Sequence, residues 1–572
     1  MSSPWKLCND FKRWGERTVF ENAHQIPRGA CLSADFCIVG GGPVAIALAL
    51  RLARTGKEIL ILPGGGWKEL EQDRDRYRGQ VEPTGSHEPL EENRRRVFGG
   101  TGTIWGGRCV PYDSIDYEKR PWIPHSGWPI SQAEAEKHLQ EALEFCEAGP
   151  GSFDANLTFP GAPQEILKGF DNHEWSTRHL ERWSPPTHFA RRHHESLRNS
   201  SKIRILMHGQ ATHLQLRRDG CKIEHVRAAA RPGQEFCIQA KAFVLACGGL
   251  ENPRLLLAAT DVQQNGVGNQ RDQVGRYYQS HLFGVCGRAS LNKTEAFVYD
   301  FERDAQGVYC RRRFWLTSEA QRRHKSGNVV GFFFRELEGT ALHRDAVTSS
   351  VVIAKSLLRA LPAGWQGLQR LYREQGEILS QHFETVWRQA PAAAPLLLRL
   401  VVDRWFGRRR LPFLLPPQHN GSFPLFYQAE HAPNPESRVV LSAEDRDDLG
   451  IPRLVVKIRF SPVDFHTVET FHREFQRRLP KSRIGEFYQD PHELAVQLEK
   501  KKNGFNSNAH HIGTTRMSTD PGQGVVDKNA QVHGVDNLFL AGSSVFSTSG
   551  HANPTLLAVA LALRLADFLS EK

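Results

Sequence analysis

No run of eighteen apolar residues occurs anywhere in this 572-residue chain. The densest stretch, Ala392–Val402, is broken by Pro395 and Arg399, which excludes a membrane-spanning helix. Ten cysteines are scattered without a Cys-x-x-Cys pair, and none lies beyond Cys310, which argues against a disulfide scaffold and a zinc ribbon. Residues Met1–Arg13 lack an apolar core followed by a cleavage site, so secretion is not indicated and a reducing cytoplasm is the expected setting. Internal repeats, low-complexity tracts and nucleic-acid-binding motifs are also missing, so no nucleic-acid partner is expected. Arginine triples at 94–96, 311–313 and 408–410 stand out within a net charge of +11, and solvated faces are their expected fate.

What remains is an ordinary globular composition, 40% hydrophobic and 24% charged, in a chain long enough for about three to five domains of typical size. The most ordered text begins at Asp35. Phe36–Val39 reads as a strand, Gly40-Gly41-Gly42-Pro43-Val44-Ala45 as a turn opening a helix that Gly56 stops, and Glu58–Leu62 as a second strand. Such a βαβ unit with G-x-G-x-x-A is a dinucleotide-binding fingerprint: Gly40 permits the tight turn, Gly42 lets backbone N–H groups approach a pyrophosphate, and Ala45 lets the helix pack on the strand. One part of the pattern is absent. The acidic residue expected at the end of the second strand, where it would hold ribose hydroxyls, is replaced by Pro63, and neither Glu58 nor Glu69 substitutes for it convincingly.

Two later apolar runs stopped by small residues, Ala242–Cys247 before Gly248-Gly249 and Leu538–Ala541 before Gly542-Ser543-Ser544, read as further strands of the same sheet. The expected fold is therefore α/β, a discontinuous Rossmann-like cofactor domain with a second α+β substrate domain laid over it. Residues 30–114, 201–296 and 501–572 are assigned to the first, and 115–200 and 297–500 to the second. Leu396–Leu415 mixes leucines with arginines and can lie on an anionic membrane surface, but Pro395 and Pro412 favour a capping helix of the second domain.

Residues 507–557 carry the chemistry. They contain His510-His511-Ile512-Gly513-Thr514 and Gly550-His551-Ala552-Asn553-Pro554-Thr555. With Phe98-Gly99-Gly100-Thr101-Gly102-Thr103-Ile104-Trp105 and Cys247-Gly248-Gly249-Leu250-Glu251-Asn252-Pro253, the chain resembles the glucose-methanol-choline (GMC) oxidoreductases over about residues 35–570. The resemblance implies an FAD-dependent enzyme of alcohol oxidation. It puts the catalytic histidine on His510 and its partner on Asn553. Cofactor contacts fall on Gly40, Gly42, Pro43, Gly100, Thr103, Ile104, Trp105, Gly248, Gly542, Asn553 and Pro554. Some family members attach the flavin through a histidine of the glycine loop; Ile104 occupies that place, which implies non-covalent FAD.

The chemistry of these residue types agrees. A neutral imidazole suits proton abstraction near pH 7, and an amide N–H suits donation to a developing alkoxide. Asn553 before Pro554 also reads as an ordinary helix N-cap, with the positive end of the helix dipole turned toward the cofactor. His511 and His551 remain open between site and structural roles, while His281 and His533 are read as structural. A metal site built on His510, His511, His533 and His551 is rejected for want of a thiolate or carboxylate at a familiar spacing. The expected function is oxidation of a CH–OH group of a sugar, polyol or related small alcohol, with oxygen, a quinone or a carrier protein as acceptor. The alternatives are a peripheral membrane dehydrogenase feeding a quinone or partner protein, and a non-catalytic flavin-fold protein weakened by Pro63.

Overall fold

The computed structural model describes residues 19–163, 165–292, 297–334, 421–503 and 509–572, with a minority of positions between 349 and 412. Its largest sheet draws eight strands from distant parts of the chain: β1 (Phe20–Asn22), β2 (Cys31–Val39), β3 (Ile59–Leu62), β4 (Ile203–Met207), β5 (Gln210–Leu216), β6 (Ile223–Ala229), β7 (Glu235–Leu245) and β8 (Leu538–Leu540). The spatial order is β1-β4-β3-β2-β7, all parallel, and β8 adds in parallel to the last residues of β7. The first residues of β7 instead pair antiparallel with β6, which pairs antiparallel with β5.

Apolar runs explain the parallel part. Cys37, Ile38, Leu60, Ile61, Val244 and Leu540 are fully buried, as strands covered on both faces require. Two helices provide much of the cover: α1 (Pro43–Ala53), and a C-terminal helix (Thr555–Ser570), here α2, whose sequence TLLAVALALRLADFLS is apolar almost all round. They pack together, clamped at the rim by Arg51 Nε donating to Asp567 at 2.8 Å. Cys31 and Cys237 are register partners on β2 and β7 with Cα atoms 4.5 Å apart, and they form a disulfide. The scattered cysteine pattern gave no sign of it, because strand register and not sequence spacing brings the two together.

A six-stranded antiparallel sheet forms the second layer. It runs Gly485–Tyr488, His281–Leu291, Ser422–Glu430, Val329–Phe333, Phe314–Leu316 and Trp175–Ser176. Two smaller sheets have four and three strands. Pairing departs from the expected segment limits in several places. β1 precedes residue 30 yet joins the large sheet. Gly79–Glu82 and Arg108–Cys109 pair with Pro452–Lys457 and Leu180–Trp183, and His281–Leu291 belongs to the six-stranded sheet. Apolar pattern locates strands, whereas partners are set by packing.

Among the described residues no helix is long and apolar enough to cross a membrane. Most of Leu396–Leu415 lies outside the described residues.

Candidate functional site

The chain segments leaving the carboxyl ends of β2, β3, β4, β7 and β8 all open on one cavity, as expected for a parallel sheet. After β2 come Gly40–Pro43, after β3 Pro63 and Gly64, after β4 Gln210, after β7 Ala246–Gly249, and after β8 Gly542 and Ser543. Two kinds of glycine occur here. Gly40 has φ +120°, and a Cβ there would sit 2.3 Å from the Ala246 carbonyl oxygen, so it is demanded by the protein itself. Gly42, Gly106, Gly248 and Gly542 are different in space, since a Cβ on any of them would meet nothing within 4 Å, although Gly248 and Gly542 also have positive φ, +86° and +106°. All four line the cavity, so their missing side chains leave main chain open to a ligand. The N-termini of α1, of the helix Gly248–Ala258 and of α2 also border it, a favourable environment for phosphate and for negative charge.

Of the cofactor residues expected from sequence, all but Thr103 line this cavity. Thr103 instead closes its own loop, its hydroxyl donating to the Gly100 carbonyl at 2.9 Å. Ile104 is 45% exposed on the cavity wall, and the Trp105 indole N–H donates to the Thr187 carbonyl.

His510 and Asn553 lie on the same cavity. His510 has one protein partner among the described residues: its Nδ1 lies 2.8 Å from Nδ1 of His281, leaving Nε2 unpaired. Burial first, then the nearby Arg108 charge, lower the His510 pKa to about 4, so the imidazole is neutral at pH 7. The Asn553 side chain is oriented by donors. Arg108 Nη1 donates to its Oδ1 at 2.9 Å and Gln428 Nε2 does so at 3.4 Å. Two donors require an oxygen, so the amide is fixed and its Nδ2 is left without a protein partner among the described residues. The helix-cap reading of Asn553 is corrected here. α2 starts at Thr555 with Pro554 in the capping position, and the Asn553 side chain bonds to Arg108 rather than to the helix.

Behind this pair stands a buried ionic layer that sequence reasoning missed. Arg108 Nε donates to Glu181 at 2.9 Å, Arg311 does so at 2.7 Å, and Glu181 is fully buried. Burial alone would push the Glu181 carboxyl up, but the two arginines bring it down to about 2. The triples 94–96 and 311–313 therefore differ from the expected solvated faces: Arg94, Arg96, Arg311, Arg312 and Arg313 are all buried. Each is matched by a carboxylate, Glu251 for the first two and Glu181, Glu302 and Asp113 for the others. Of the third triple only Arg409 is described.

The remaining histidines separate clearly. His551 is fully buried, its Nε2 2.9 Å from Asp113 and 3.1 Å from Arg313, and it does not line the cavity. His511 borders the cavity but stacks on His87 and Tyr278. His533 bonds the Ser518 carbonyl. His281, read as structural, is the residue that touches His510, and no motif surrounds it in the sequence.

Elsewhere on the cavity lining Pro63 offers no carboxylate, and Glu69 is occupied by the Arg96 backbone N–H at 2.9 Å. The acid among the described lining residues is Glu251, held by Arg94, Arg96 and Arg254 at 3.0–3.2 Å. The Arg94 and Arg96 guanidinium carbons lie 4.1 and 4.2 Å from the centroid of the Tyr77 ring, and Arg96 also donates to Gln210.

Residues 433–562 match the family model described as GMC oxidoreductase. The fructose dehydrogenase large subunit of Gluconobacter japonicus is 25% identical over 336 residues, 58% of this chain and 48% of that protein. The C-glycoside 3-oxidase of Arthrobacter globiformis is 34% identical over 139 residues, 24% of this chain and 25% of that protein. A solved FAD-dependent oxidoreductase from Chaetomium thermophilum shares the fold at a TM-score of 0.51 and 14% identity, covering 94% of this chain and 99% of that one. Over residues 433–562 this chain is similar to the GMC oxidoreductases. The matched stretches span about half or less of those two relatives' own length. GMC oxidoreductases bind FAD, and the open glycine cradle and the three helix N-termini suit an extended ligand carrying a pyrophosphate.

Proposed function

We propose that the chain is an FAD-dependent oxidoreductase that oxidises a CH–OH group of a sugar, polyol or related small alcohol to the carbonyl. The observation that carries this reading is a pair of groups on one cavity without protein partners among the described residues, Nε2 of a neutral His510 and Nδ2–H of Asn553. A hydroxyl group is their complement: it donates its proton to the first while its oxygen accepts from the second.

In this reading Gly40–Pro43, Gly248 and Gly542 hold the phosphates, and Gly100, Ile104, Trp105 and Pro554 border the ring system. FAD held there supplies the hydride acceptor. His510 takes the hydroxyl proton at Nε2, worth roughly 10²- to 10⁴-fold in rate for a well-placed base. Asn553 donates to the oxygen as it gains negative charge, and its anchors on Arg108 and Gln428 spare it reorganisation during the reaction. Ile104 has no nucleophilic atom, so FAD is bound non-covalently. Asn93 and Gln210 are polar groups of the same cavity that would serve the adenosine end.

The test is an anaerobic panel of hexoses, polyols and simple alcohols added to purified protein, followed by air. The expected result is a yellow protein that releases FAD on denaturation and bleaches with at least one member. Reoxidation in air then separates oxygen from a quinone or carrier protein as acceptor. A colourless protein that yields no flavin overturns the reading.

A further inference from the structure

We infer that His281 is a positioning residue that fixes the proton of His510 on Nδ1, leaving the Nε2 lone pair as the base on the cavity; this rests on the role proposed above for His510. The two Nδ1 atoms are 2.8 Å apart, with the imidazole rings nearly perpendicular at 86°. Two ring nitrogens at that distance share one proton, so one donates and the other accepts. The far side of His281 decides which. Its Nε2 faces the Ser549 carbonyl oxygen at 3.4 Å, a group that only accepts. A neutral His281 therefore keeps its hydrogen on Nε2 and presents a lone pair at Nδ1. His510 must then donate from Nδ1, and its Nε2 is unprotonated.

The reverse arrangement would point an N–H from His510 into the cavity, where it is useless for accepting a proton. His281 is fully buried, and burial first, then His510 and His551, hold its pKa well below the ordinary range, so it stays neutral. The proton balance is simple: the hydroxyl proton adds to Nε2 of His510, the Nδ1 proton stays in place, and the His281 lone pair faces the resulting imidazolium.

Its place in the fold makes this a built feature. His281 opens the strand that pairs with Ser422–Glu430, with registers His281↔Glu430 and Phe283↔Gln428. Residues opposite each other, and two apart along a strand, share a face. One face of the second sheet thus orients both proposed site residues, His510 through His281 and Asn553 through Gln428.

The experiment compares His281→Leu, which removes the acceptor, with His281→Asn, whose Oδ1 stands near the place of Nδ1. Anaerobic single-turnover flavin reduction is followed with whichever of D-glucose, D-fructose, sorbitol or benzyl alcohol reduces the parent protein, and His510→Ala is the control. We expect the leucine variant to reduce its flavin about 10²-fold more slowly at saturating substrate, with substrate affinity little changed and FAD retained, and the asparagine variant to recover most of the loss. Normal reduction by the leucine variant, or equal slowing of both variants, overturns the inference. If His510→Ala also reduces its flavin normally, the reading of His510 itself fails instead. Nitrogen-15 spectra of histidine-labelled protein give an independent reading that needs no variant at position 281, the His510 signals being identified by their loss in His510→Ala. Protonation of His510 on Nδ1 supports the inference and protonation on Nε2 overturns it.

Discussion

Part of the cavity lining is main chain, contributed by Gly42, Gly248 and Gly542 beside helix N-termini. Another part is side chains, His510 and Asn553, each held by residues from distant segments. The difference teaches where each part is vulnerable. A backbone cradle can be blocked only by adding atoms, and blocking it removes the ligand. The side-chain pair can be disarmed by deleting atoms, and the cofactor should stay.

The largest effects separate two glycines of the same turn. Gly40→Ala forces a Cβ against the Ala246 carbonyl at a φ that side chains rarely adopt, and should destabilise the protein by about 4 kcal/mol or prevent its accumulation, read by thermal melting. Gly42→Val has open space before it and an ordinary φ of −78°, so the protein should fold, with normal far-UV circular dichroism, yet carry no flavin. Equal FAD content in parent and Gly42→Val would break the contrast between main-chain and side-chain lining.

In the side-chain part, Asn553→Ala should slow flavin reduction about 10²-fold while FAD stays bound, measured anaerobically by stopped flow. A milder probe is pH. Protonated His510 cannot accept a proton, so flavin reduction should persist through neutral pH and be lost only as pH falls toward about 4. Arg108 is the second cause of that lowering, after burial. Arg108→Gln should therefore raise the His510 pKa and shift the acid limb of the rate profile to higher pH. The smallest effect is expected at the adenosine end, where Pro63→Glu restores a carboxylate at the end of β3 and should tighten FAD binding by about tenfold, read as the FAD dissociation constant.

The same contrast decides what was legible in the sequence. The turn at Gly40–Ala45 and the glycines after β7 and β8 are local patterns, and a strand ending in small residues announces a crevice without knowledge of its partners. His510 and Asn553 were also readable, through motifs within a few residues of them. Their supports were not. His281 lies 229 positions from His510, and Arg108 lies 445 from Asn553. Nothing in a stretch such as Gln279-Ser280-His281-Leu282 distinguishes a tautomer-setting histidine from a packed one. The arginine triples misled for a related reason. A basic run reads as surface unless its carboxylates are visible, and Glu181, Glu251 and Asp113 stand elsewhere in the chain.

The central claim is that His510 accepts the substrate proton at a site that binds FAD without it. Anaerobic flavin reduction in His510→Ala, with the flavin content of the same sample, tests it directly. The account predicts full FAD occupancy with a rate lowered by about 10²- to 10⁴-fold; reduction at the parent rate would contradict it.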